Sequence, residues 1–323
     1  MTTDLENRLK KKYTTISKWA KQQNISCYRV YTKDLAEFPF ILDIYNTNAV
    51  VWFFDRKKDT STQHQETYIK TIIQSITTSL PINESQLYLK FRSKQKGLQQ
   101  QYSKLASHKN IIIIDENSLK FELNLSDYLD VGIFLDHRKS RKLTQQFTKN
   151  KSLLNLFAYT GSFSLYAYQA GATHTTSVDL NKNYLTWIER NFQHNTFKKR
   201  STDKFIYEDC FKFLSSHHYK EKYDVIICDP PTFSNSKKMK QTLSINTDYI
   251  DLIKLCTKKL NQNGIIVFST NSKSFKLDIN MLPEEMYYKN ITQKTIPFDF
   301  KNLTPHQCWL FSFSKTTLDK IKI

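Results

Sequence analysis

The sequence predicts an α/β protein in which a doubly wound domain with a parallel sheet, residues 129–323, follows a smaller α+β domain, residues 1–128. The length of 323 residues is more than most single hydrophobic cores use, which favours two domains. After Gly132, short apolar runs begin to alternate with helical segments. Such alternation is typical of a parallel sheet with helices on both faces.

The first domain is predicted to mix strands and helices without a regular alternation. Apolar spacing indicates an amphipathic helix over 4–23 and a second helix over 62–80, which Pro81 closes. Strand-like runs accompany them at 27–31, 40–45, 50–54, 86–91, 111–115 and 120–125. This mixture favours a compact α+β unit.

The second domain is predicted to contain strands that carry its chemistry at their ends. These strand-like runs are 152–158, 174–179, 204–207, 223–229 and 264–270. In open α/β sheets, ligands bind outside the carboxyl ends of the strands. The residues that follow the strands are therefore the candidates for a functional site.

The charge of the chain favours a polyanionic partner. Lys and Arg number 48 against 30 Asp and Glu, which leaves a net charge of +18 and a pI near 9.5. Basic contacts to phosphates release bound counterions, so nucleic acid is the predicted partner, with a Lys-rich compositional bias as the alternative. The run Lys90/Arg92/Lys94/Lys96 is one basic cluster, and Lys237, Lys238 and Lys240 form another. We expect Lys94, Lys96, Lys237, Lys238 and Lys240 to contact RNA.

The cysteines and the terminal sequence favour a cytoplasmic protein. The 5 cysteines are scattered without a CxxC pair, which is typical of a reducing compartment and predicts neither a disulfide framework nor a metal site. The start, MTTDLENRLKKKY, has no apolar signal-peptide core. No stretch approaches the roughly 18 apolar residues of a membrane span, so no membrane partner is expected.

A cofactor site is predicted where the first strand of the second domain turns into a helix. The segment LLNLFAYTGSFSLYAYQAGA passes through Gly161, and the next strand ends in Asp179. In a doubly wound fold these positions provide a tight turn beside the cofactor and a carboxylate for ribose hydroxyls. The absence of GxGxxG argues against NAD and for a cofactor without a pyrophosphate. Asp209 is a candidate acceptor for an adenine amino group. An ordinary turn and a helix N-cap are the alternatives.

The next candidate is the sequence Asp229-Pro230-Pro231-Thr232-Phe233, which follows the fourth strand. Two successive prolines lock the backbone and leave carbonyl groups facing outwards. Phe233 offers a face on which a base extruded from RNA could stack. The pattern favours methyl transfer to a nucleic-acid base over a plain turn, with Asp229, Pro230, Pro231 and Phe233 as the predicted catalytic residues.

Six segments carry a family resemblance over nearly the whole chain. They are GIFLDHRKSR, LLNLFAYTGSFSLYAYQAGATHTTSVDLNKNYLTWIERN, DPPTFSNSKKM, ITQKTIPFDF, NRLKKKYTTISKWAKQQNISCYRVY and KFRSKQKG. Together they resemble the K half of the bifunctional 23S rRNA guanine methyltransferase K/L. The resemblance implies a class I (Rossmann-like) S-adenosylmethionine-dependent methyltransferase fold. It also implies formation of 7-methylguanine in the peptidyl-transferase region of 23S rRNA. A relative that makes 5-methylcytosine has a similar GxxLDxR segment, so this motif alone does not fix the base.

The resemblance also implies roles in binding S-adenosyl-L-methionine. The segment from Phe134 to Arg138 would form a wall of the site, with Arg138 pairing with the methionine carboxylate. Asp179 would hold the ribose, and Asp209 the adenine, with Cys210 beside it. The residues that would line the methionine side are Asn155, Phe157, Tyr159 and Gly161.

The chemistry of the two candidate bases differs in what it requires of the protein. Guanine N7 already has an in-plane lone pair, so alignment would suffice without a general base, and the sequence offers no obvious catalytic histidine. Asp229 would accept from the N1–H and amino edge of guanine, or from the amino group of the cofactor. Cytosine C5 instead requires a thiolate. Cys228 is expected to point away from Asp229, which leaves a cytosine-C5 methyltransferase as an alternative. A non-catalytic RNA-binding assembly factor is another.

In the bifunctional proteins an N2-guanine methyltransferase with an RNA-binding THUMP domain precedes the K-like unit. Here Met1 stands just before the K-like helix. We therefore expect either a separate N2-guanine methyltransferase partner or a larger chain of which this is a part. RNA capture would then fall to the first domain and the basic residues.

Overall fold

The structure is a computed structural model that describes residues 2–54, 62–92, 108–234 and 242–321. The chain forms two compact units, Met1–Val131 and Gly132–Ile323. The predicted RNA-contacting residues Lys94, Lys96, Lys237, Lys238 and Lys240 lie outside the described residues.

The first unit is built on a four-stranded sheet in the order β1-β2-β3-β4. Its elements are α1 (Thr2–Gln22), β1 (Cys27–Thr32), β2 (Ile41–Tyr45), β3 (Asn48–Phe54), α2 (Thr62–Ser79), β4 (Leu87–Arg92), β5 (Ile111–Glu116) and β6 (Leu119–Asn124). Strands β3 and β4 are parallel because α2 forms the crossover between them. Helix α1 buries Leu5, Leu9, Ile16 and Ala20, which recur at helical spacing.

Two basic residues of the cluster at 90–96, Lys90 and Arg92, lie on β4 and have partners within the first unit. The Nζ of Lys90 donates to the carbonyl oxygens of Ser126 and Tyr128, and burial lowers the pKa of Lys90 to about 8. The guanidinium of Arg92 lies 2.5 Å from a carboxylate oxygen of Asp130. These two cations contact the 126–130 segment, whereas Lys94 and Lys96 of the same cluster lie outside the described residues.

The second unit contains a seven-stranded sheet in the order β14-β15-β13-β10-β7-β8-β9. Its elements up to β10 are α3 (Arg138–Thr148), β7 (Ser152–Leu156), α4 (Ser162–Gln169), β8 (His174–Asp179), α5 (Lys182–His194), β9 (Lys204–Tyr207), α6 (Cys210–Ser215) and β10 (Tyr223–Cys228). The later ones are β11 (Phe233–Ser234), β12 (Leu243–Ser244), α7 (Ile245–Lys258), β13 (Leu260–Thr270), β14 (Tyr287–Asn290), α8 (Thr292–Thr295), β15 (Gln307–Ser312) and α9 (Lys315–Asp319). Strands β13, β10, β7, β8 and β9 are parallel, and β15 is antiparallel to both of its neighbours. The predicted α/β architecture is confirmed.

The sheet of the second unit has an apolar core on each face. In β7, Leu154 belongs to one buried cluster and Leu153 to the other. In β10, Ile226 and Cys228 enter the first cluster while Ile227 enters the second. Side chains in a strand alternate between faces, so the side chain of Cys228 is committed to the core.

The strand order reverses between β7 and β10. The chain runs from β7 outwards to β8 and β9, then returns to form β10 on the other side of β7. Leu156 and Cys228, the last residues of β7 and β10, are directly paired. The loops after these two strands therefore start side by side at a topological switch point, where open α/β sheets bind ligands.

The sequence prediction missed β14 and β15. Strand β14 is largely exposed and lacks an apolar alternation, whereas β15 is buried along most of its length and lies between β13 and β14. Within the described ranges, no helix combines the length and the apolarity needed to cross a bilayer.

Candidate active site

The loop after β7 has an unusual backbone. Phe157 has a φ of 53°, Tyr159 of 51° and Gly161 of 77°. Non-glycine residues rarely adopt this left-handed region, and strain of this kind clusters at functional sites. The neighbouring strand ends hold the loop, because the Phe157 N–H donates to Cys210 Sγ at 3.3 Å and the Tyr159 N–H donates to Asp179 Oδ2 at 2.9 Å.

Gly161 ends this loop and is the N-cap of α4. A Cβ at this position would lie 2.8 Å from both Cγ1 and Cγ2 of Ile188 on α5. Glycine is therefore required here both for the backbone angle and for the close approach to α5.

Asp179 lies at the carboxyl end of β8, next to the loop. Its two carboxylate oxygens accept from the N–H groups of Tyr159 and Asn181, each at 2.9 Å. Burial raises the pKa of Asp179 to about 6, although these backbone donors oppose the shift. A buried carboxylate that accepts hydrogen bonds from neutral donors is suited to bind ribose hydroxyls. The carboxyl end of β8 therefore fits the predicted cofactor, which contains a nucleoside.

Affinity for S-adenosylmethionine is expected to fall as the pH drops through about 6. The ionised carboxylate of Asp179 accepts hydrogen bonds from hydroxyls, and protonation removes this capacity, so affinity is full above the pKa and is lost below it. Calorimetry between pH 5 and 8 should show about a tenfold loss per pH unit at the acid end. Asp179→Asn should bind weakly with a flat profile. An unchanged wild-type affinity at pH 5 would remove Asp179 from the site.

Three further predicted cofactor residues are tied into the scaffold around the loop. The carboxylate of Asp209 accepts from the Lys212 N–H at 3.0 Å and caps α6. Cys210 is buried, and burial raises the pKa of its thiol well above the usual range. The side-chain amide of Asn155 donates to Ser164 Oγ at 3.0 Å. Their contacts with adenine and methionine stay predictions.

The segment that precedes α3 reaches the loop after β7. The Thr160 hydroxyl donates to the Gly132 carbonyl at 2.6 Å. The rings of Phe134 and Tyr159 lie 5.2 Å apart, and Phe134 is 40% exposed. The structure thus brings the predicted wall residue Phe134 next to the predicted methionine-side residue Tyr159.

Arg138, predicted to pair with the methionine carboxylate, has a protein partner. Its Nη1 lies 2.9 Å from Asp299 Oδ1, and both side chains are buried. The pair joins two of the family-like segments, GIFLDHRKSR and ITQKTIPFDF. A role of Arg138 in holding the cofactor stays a prediction.

Asp229 follows β10 and is held by polar side chains. Ser269 Oγ donates to Asp229 Oδ1 at 2.6 Å, and His137 Nε2 lies 3.6 Å from Oδ2. The loop continues through Pro230, which is buried, and Pro231, which is half-buried, to Phe233, which is 38% exposed at the start of β11. The carboxylate and the exposed ring are thus carried by one short and well-fixed loop.

His137 lies within the predicted wall segment from Phe134 to Arg138, but the sequence predicts no role for this particular side chain. It is buried, and its ring stacks on that of His306 with 4.3 Å between centroids and 17° between planes. His306 Nδ1 lies 3.1 Å from Asp136 Oδ2. The sequence offers no obvious catalytic histidine, and the structure places the side chain of His137 beside Asp229. The signal available in the sequence is that His137 lies within the family-like segment GIFLDHRKSR.

Asp136, His137 and His306 each offer a ligand atom, and these atoms lie within 4.8 Å of one another. A metal ion would have to lie in the planes of both imidazoles, about 2.0–2.1 Å from each nitrogen. Stacked rings with 17° between their planes direct their lone pairs side by side and not to one point. As arranged, the cluster is a hydrogen-bonding assembly and does not fit a metal ion.

Comparison with known proteins agrees with this geometry. The sequence profile of S-adenosylmethionine-dependent methyltransferases matches residues 59–289. Two relatives, from Psychromonas ingrahamii and Photobacterium profundum, are each 39% identical over 311 residues, which is 96% of this chain. Both are called ribosomal RNA large subunit methyltransferase K/L, which confirms the resemblance seen in the motifs. The chain spans 41% and 43% of their lengths, respectively.

Solved structures show the same fold. A crystal structure of SMU.776 complexed with SAH is 23% identical and has a TM-score of 0.76 over 96% of this chain and 81% of that one. The S-adenosylmethionine-dependent methyltransferase from Agrobacterium tumefaciens is 15% identical and has a TM-score of 0.61 over 90% of this chain and 91% of its own. At these identities the likeness concerns the fold, and the predicted fold class is confirmed.

Proposed function

The chain belongs to the S-adenosylmethionine-dependent methyltransferases, and we propose that it methylates N7 of a guanine in 23S ribosomal RNA. The observation that carries the proposal is the 39% identity, over 96% of this chain, to proteins named ribosomal RNA large subunit methyltransferase K/L. The resemblance of the motifs to the K half supports 7-methylguanine as the product, at one guanine of the peptidyl-transferase region.

The cofactor would lie at the carboxyl ends of β7, β8 and β9. When bound, S-adenosylmethionine supplies an electrophilic methyl group. Asp179 would bind the ribose through its buried carboxylate, and Asp209 would contact the adenine. Phe134 and Tyr159, whose rings lie 5.2 Å apart, would shield the methionine end from water.

The target base would lie at the carboxyl end of β10. Phe233 exposes its ring for stacking, and Asp229 presents a carboxylate fixed by Ser269. Asp229 would accept from N1–H and the amino group of guanine, which directs N7 away from the negative charge. Methylation places a positive charge on the ring, and the nearby carboxylate would stabilise it. No proton has to leave N7, so alignment of the base is the main requirement.

The cysteines of the site argue against cytosine C5 as the target. A C5 enzyme needs an accessible thiolate. Cys228 and Cys210 are buried, and burial raises the pKa of both thiols well above the usual range. Cys228 also packs among the apolar residues of one core cluster.

Cys228→Ala is therefore expected to keep most of its methyl-transfer activity. Because the thiol is buried and burial raises its pKa, the thiol stays protonated. Its removal should therefore lower the stability of the core and leave the rate of methyl transfer nearly the same. The measurement is the initial rate of methyl transfer to 23S rRNA, with a denaturing gel to detect any covalent enzyme–RNA adduct. An inactive Cys228→Ala enzyme, or an adduct with the wild type, would reassign the chain to the cytosine-C5 enzymes.

The proposed function is tested by identifying the product. The protein is incubated with S-adenosylmethionine and unmodified 23S rRNA, and the digested nucleosides are analysed by mass spectrometry. We expect 7-methylguanosine. 5-Methylcytidine or N2-methylguanosine would contradict the proposal, and RNA binding without methylation would favour an assembly factor.

RNA capture would involve the first unit and the basic residues of the chain, whose net charge is +18. Lys94, Lys96, Lys237, Lys238 and Lys240 remain the predicted RNA contacts. A separate N2-guanine methyltransferase partner also stays a prediction. An enzyme with this substrate would act in the cytoplasm, where ribosomal RNA is assembled into ribosomes.

A further inference from the structure

We propose that His137 is a positioning residue which, together with Ser269, fixes the Asp229 carboxylate so that it reads the N1–H and 2-amino edge of the target guanine. This inference rests on the proposed function and adds the residue that determines how the base is recognised. It follows from the contacts of His137, from its buried Nδ1, which has no partner in the described part of the chain, and from the side chains packed behind it.

The surroundings of His137 determine which ring nitrogen carries the proton. Its Nε2 faces two carboxylate oxygens, at 3.6 Å for Asp229 and 3.8 Å for Asp136. Its Nδ1 is buried and has no hydrogen-bond partner among the residues that the structure describes. A lone pair on Nε2 would be repelled by these acceptors, and an N–H on Nδ1 would be left unsatisfied. The neutral ring therefore carries its hydrogen on Nε2, where it points towards Asp229.

Neutrality of the ring follows from its burial. Burial lowers the pKa of His137, and His306 and Arg141 act in the same direction, while Asp229 and Asp136 oppose it. A neutral donor suits this position, because it orients the Asp229 carboxylate without cancelling its charge. That charge remains available to the base.

The cluster behind His137 keeps the ring in place. His306 stacks on it, and His306 is in turn bonded to Asp136 through Nδ1 and lies 3.0 Å from Thr295 Oγ1 through Nε2. The ring of Phe163 also packs near His137, 6.1 Å away between centroids in an edge orientation. His137 can therefore approach Asp229 by only a small shift, such as the closing of the 3.6 Å gap when a base binds.

With one oxygen held by Ser269 and the other facing His137, the carboxylate plane of Asp229 is fixed. A carboxylate in a fixed plane can accept two parallel N–H bonds, as it does from arginine. Guanine presents such a pair in N1–H and its 2-amino group. Inosine keeps N1–H, O6 and N7 but lacks the amino group, which makes it the matched probe.

The test compares guanine with inosine at the target position of a ligated 23S rRNA fragment from the peptidyl-transferase region. Wild type should prefer guanine by roughly tenfold or more in kcat/KM, since one charge-assisted bond is lost with inosine. His137→Ala should lower kcat on guanine by roughly ten- to a hundredfold and bring the guanine-to-inosine ratio close to one. His137→Gln, whose amide can also donate, should recover much of both.

The controls separate positioning from loss of structure. S-adenosylmethionine affinity, measured by calorimetry, should fall much less than kcat in His137→Ala, because the side chain faces Asp229. His174→Gln, at the amino end of β8 and paired with Glu221, should keep the wild-type rate and ratio.

Three outcomes would overturn the inference. If His137→Ala lowers both rates but keeps the ratio, His137 has only a structural role. If wild type methylates guanine N7 and inosine N7 equally well, Asp229 does not read the amino edge, although the proposed function stands. If wild type forms no 7-methylguanosine, the proposed function fails and the inference with it.

Discussion

Gly161→Ala is expected to abolish measurable binding of S-adenosylmethionine and to lower the free energy of unfolding by about 2–5 kcal/mol. The added Cβ would lie 2.8 Å from two carbons of Ile188, at a backbone φ of 77° that side chains disfavour. Relief requires α4 or α5 to move, and the loop that holds Tyr159 against Asp179 moves with them. Calorimetric titration and urea denaturation measure the two effects.

Gly171→Ala is the matched control for this prediction. Gly171 has a similar φ of 87°, but a Cβ there would meet no atom of the described residues within 4 Å. Gly171→Ala should lower the free energy of unfolding by only about 1–2 kcal/mol, through backbone strain, and should leave the affinity for the cofactor intact. In the double variant Gly161→Ala/Ile188→Ala the two 2.8 Å contacts are removed and only the 3.2 Å contact with Cβ of residue 188 is left, so part of the affinity should return. Equal losses in the two single glycine variants would contradict the steric explanation.

Asp229→Ala is expected to lower kcat/KM for RNA by about a hundredfold or more, while affinity for S-adenosylmethionine stays the same. The carboxylate both orients the base and stabilises the positive charge of the methylated ring, and such contacts are worth about 10²–10³-fold in comparable sites. Asp229→Asn should be similarly impaired, because its amide would present a donor to the N–H groups of guanine. Single-turnover methyl transfer measures the effect.

Phe233→Ala separates stacking from the role of the carboxylate. Its ring is 38% exposed at the start of β11, so its removal should misplace the base without unfolding the protein. We expect a loss of about 1–3 kcal/mol in base binding, seen mainly in KM. Full activity of Asp229→Ala, or an effect of Phe233→Ala on cofactor binding alone, would contradict the placement of the base.

The residues of the site that could be predicted from the sequence are those at the carboxyl ends of the parallel strands. Gly161, Asp179 and Asp229 each follow a strand of a parallel sheet, and the carboxyl ends of such strands share one edge. The apolar runs of β7 and β10 are long enough to be recognised, so the positions after them could be placed.

The parts that could not be predicted depend on contacts between distant residues. Arg138 meets Asp299 across 161 positions, and His306 meets Asp136 across 170. No local pattern specifies such pairs. The left-handed conformation of Tyr159 also has no local sequence signal, and the N–H of this residue bonds to Asp179, 20 positions along the chain.

The burial of basic residues was the other obstacle. The sequence places Lys90 and Arg92 in one basic cluster, but it does not show that both contact the turn at 126–130. Side chains alternate between the two faces of a strand, so Lys90 and Arg92 lie on the same face. Which face is packed against the rest of the unit cannot be read from the charge count.

The most direct test of the central claim is a mass map of the 23S rRNA nucleosides from cells with and without the gene. We expect 7-methylguanine at one site in the peptidyl-transferase region, its loss on deletion, and its return with the wild-type gene but not with Asp229→Ala. Unchanged 7-methylguanine in the deletion strain, with 5-methylcytosine or N2-methylguanine missing instead, would contradict the account.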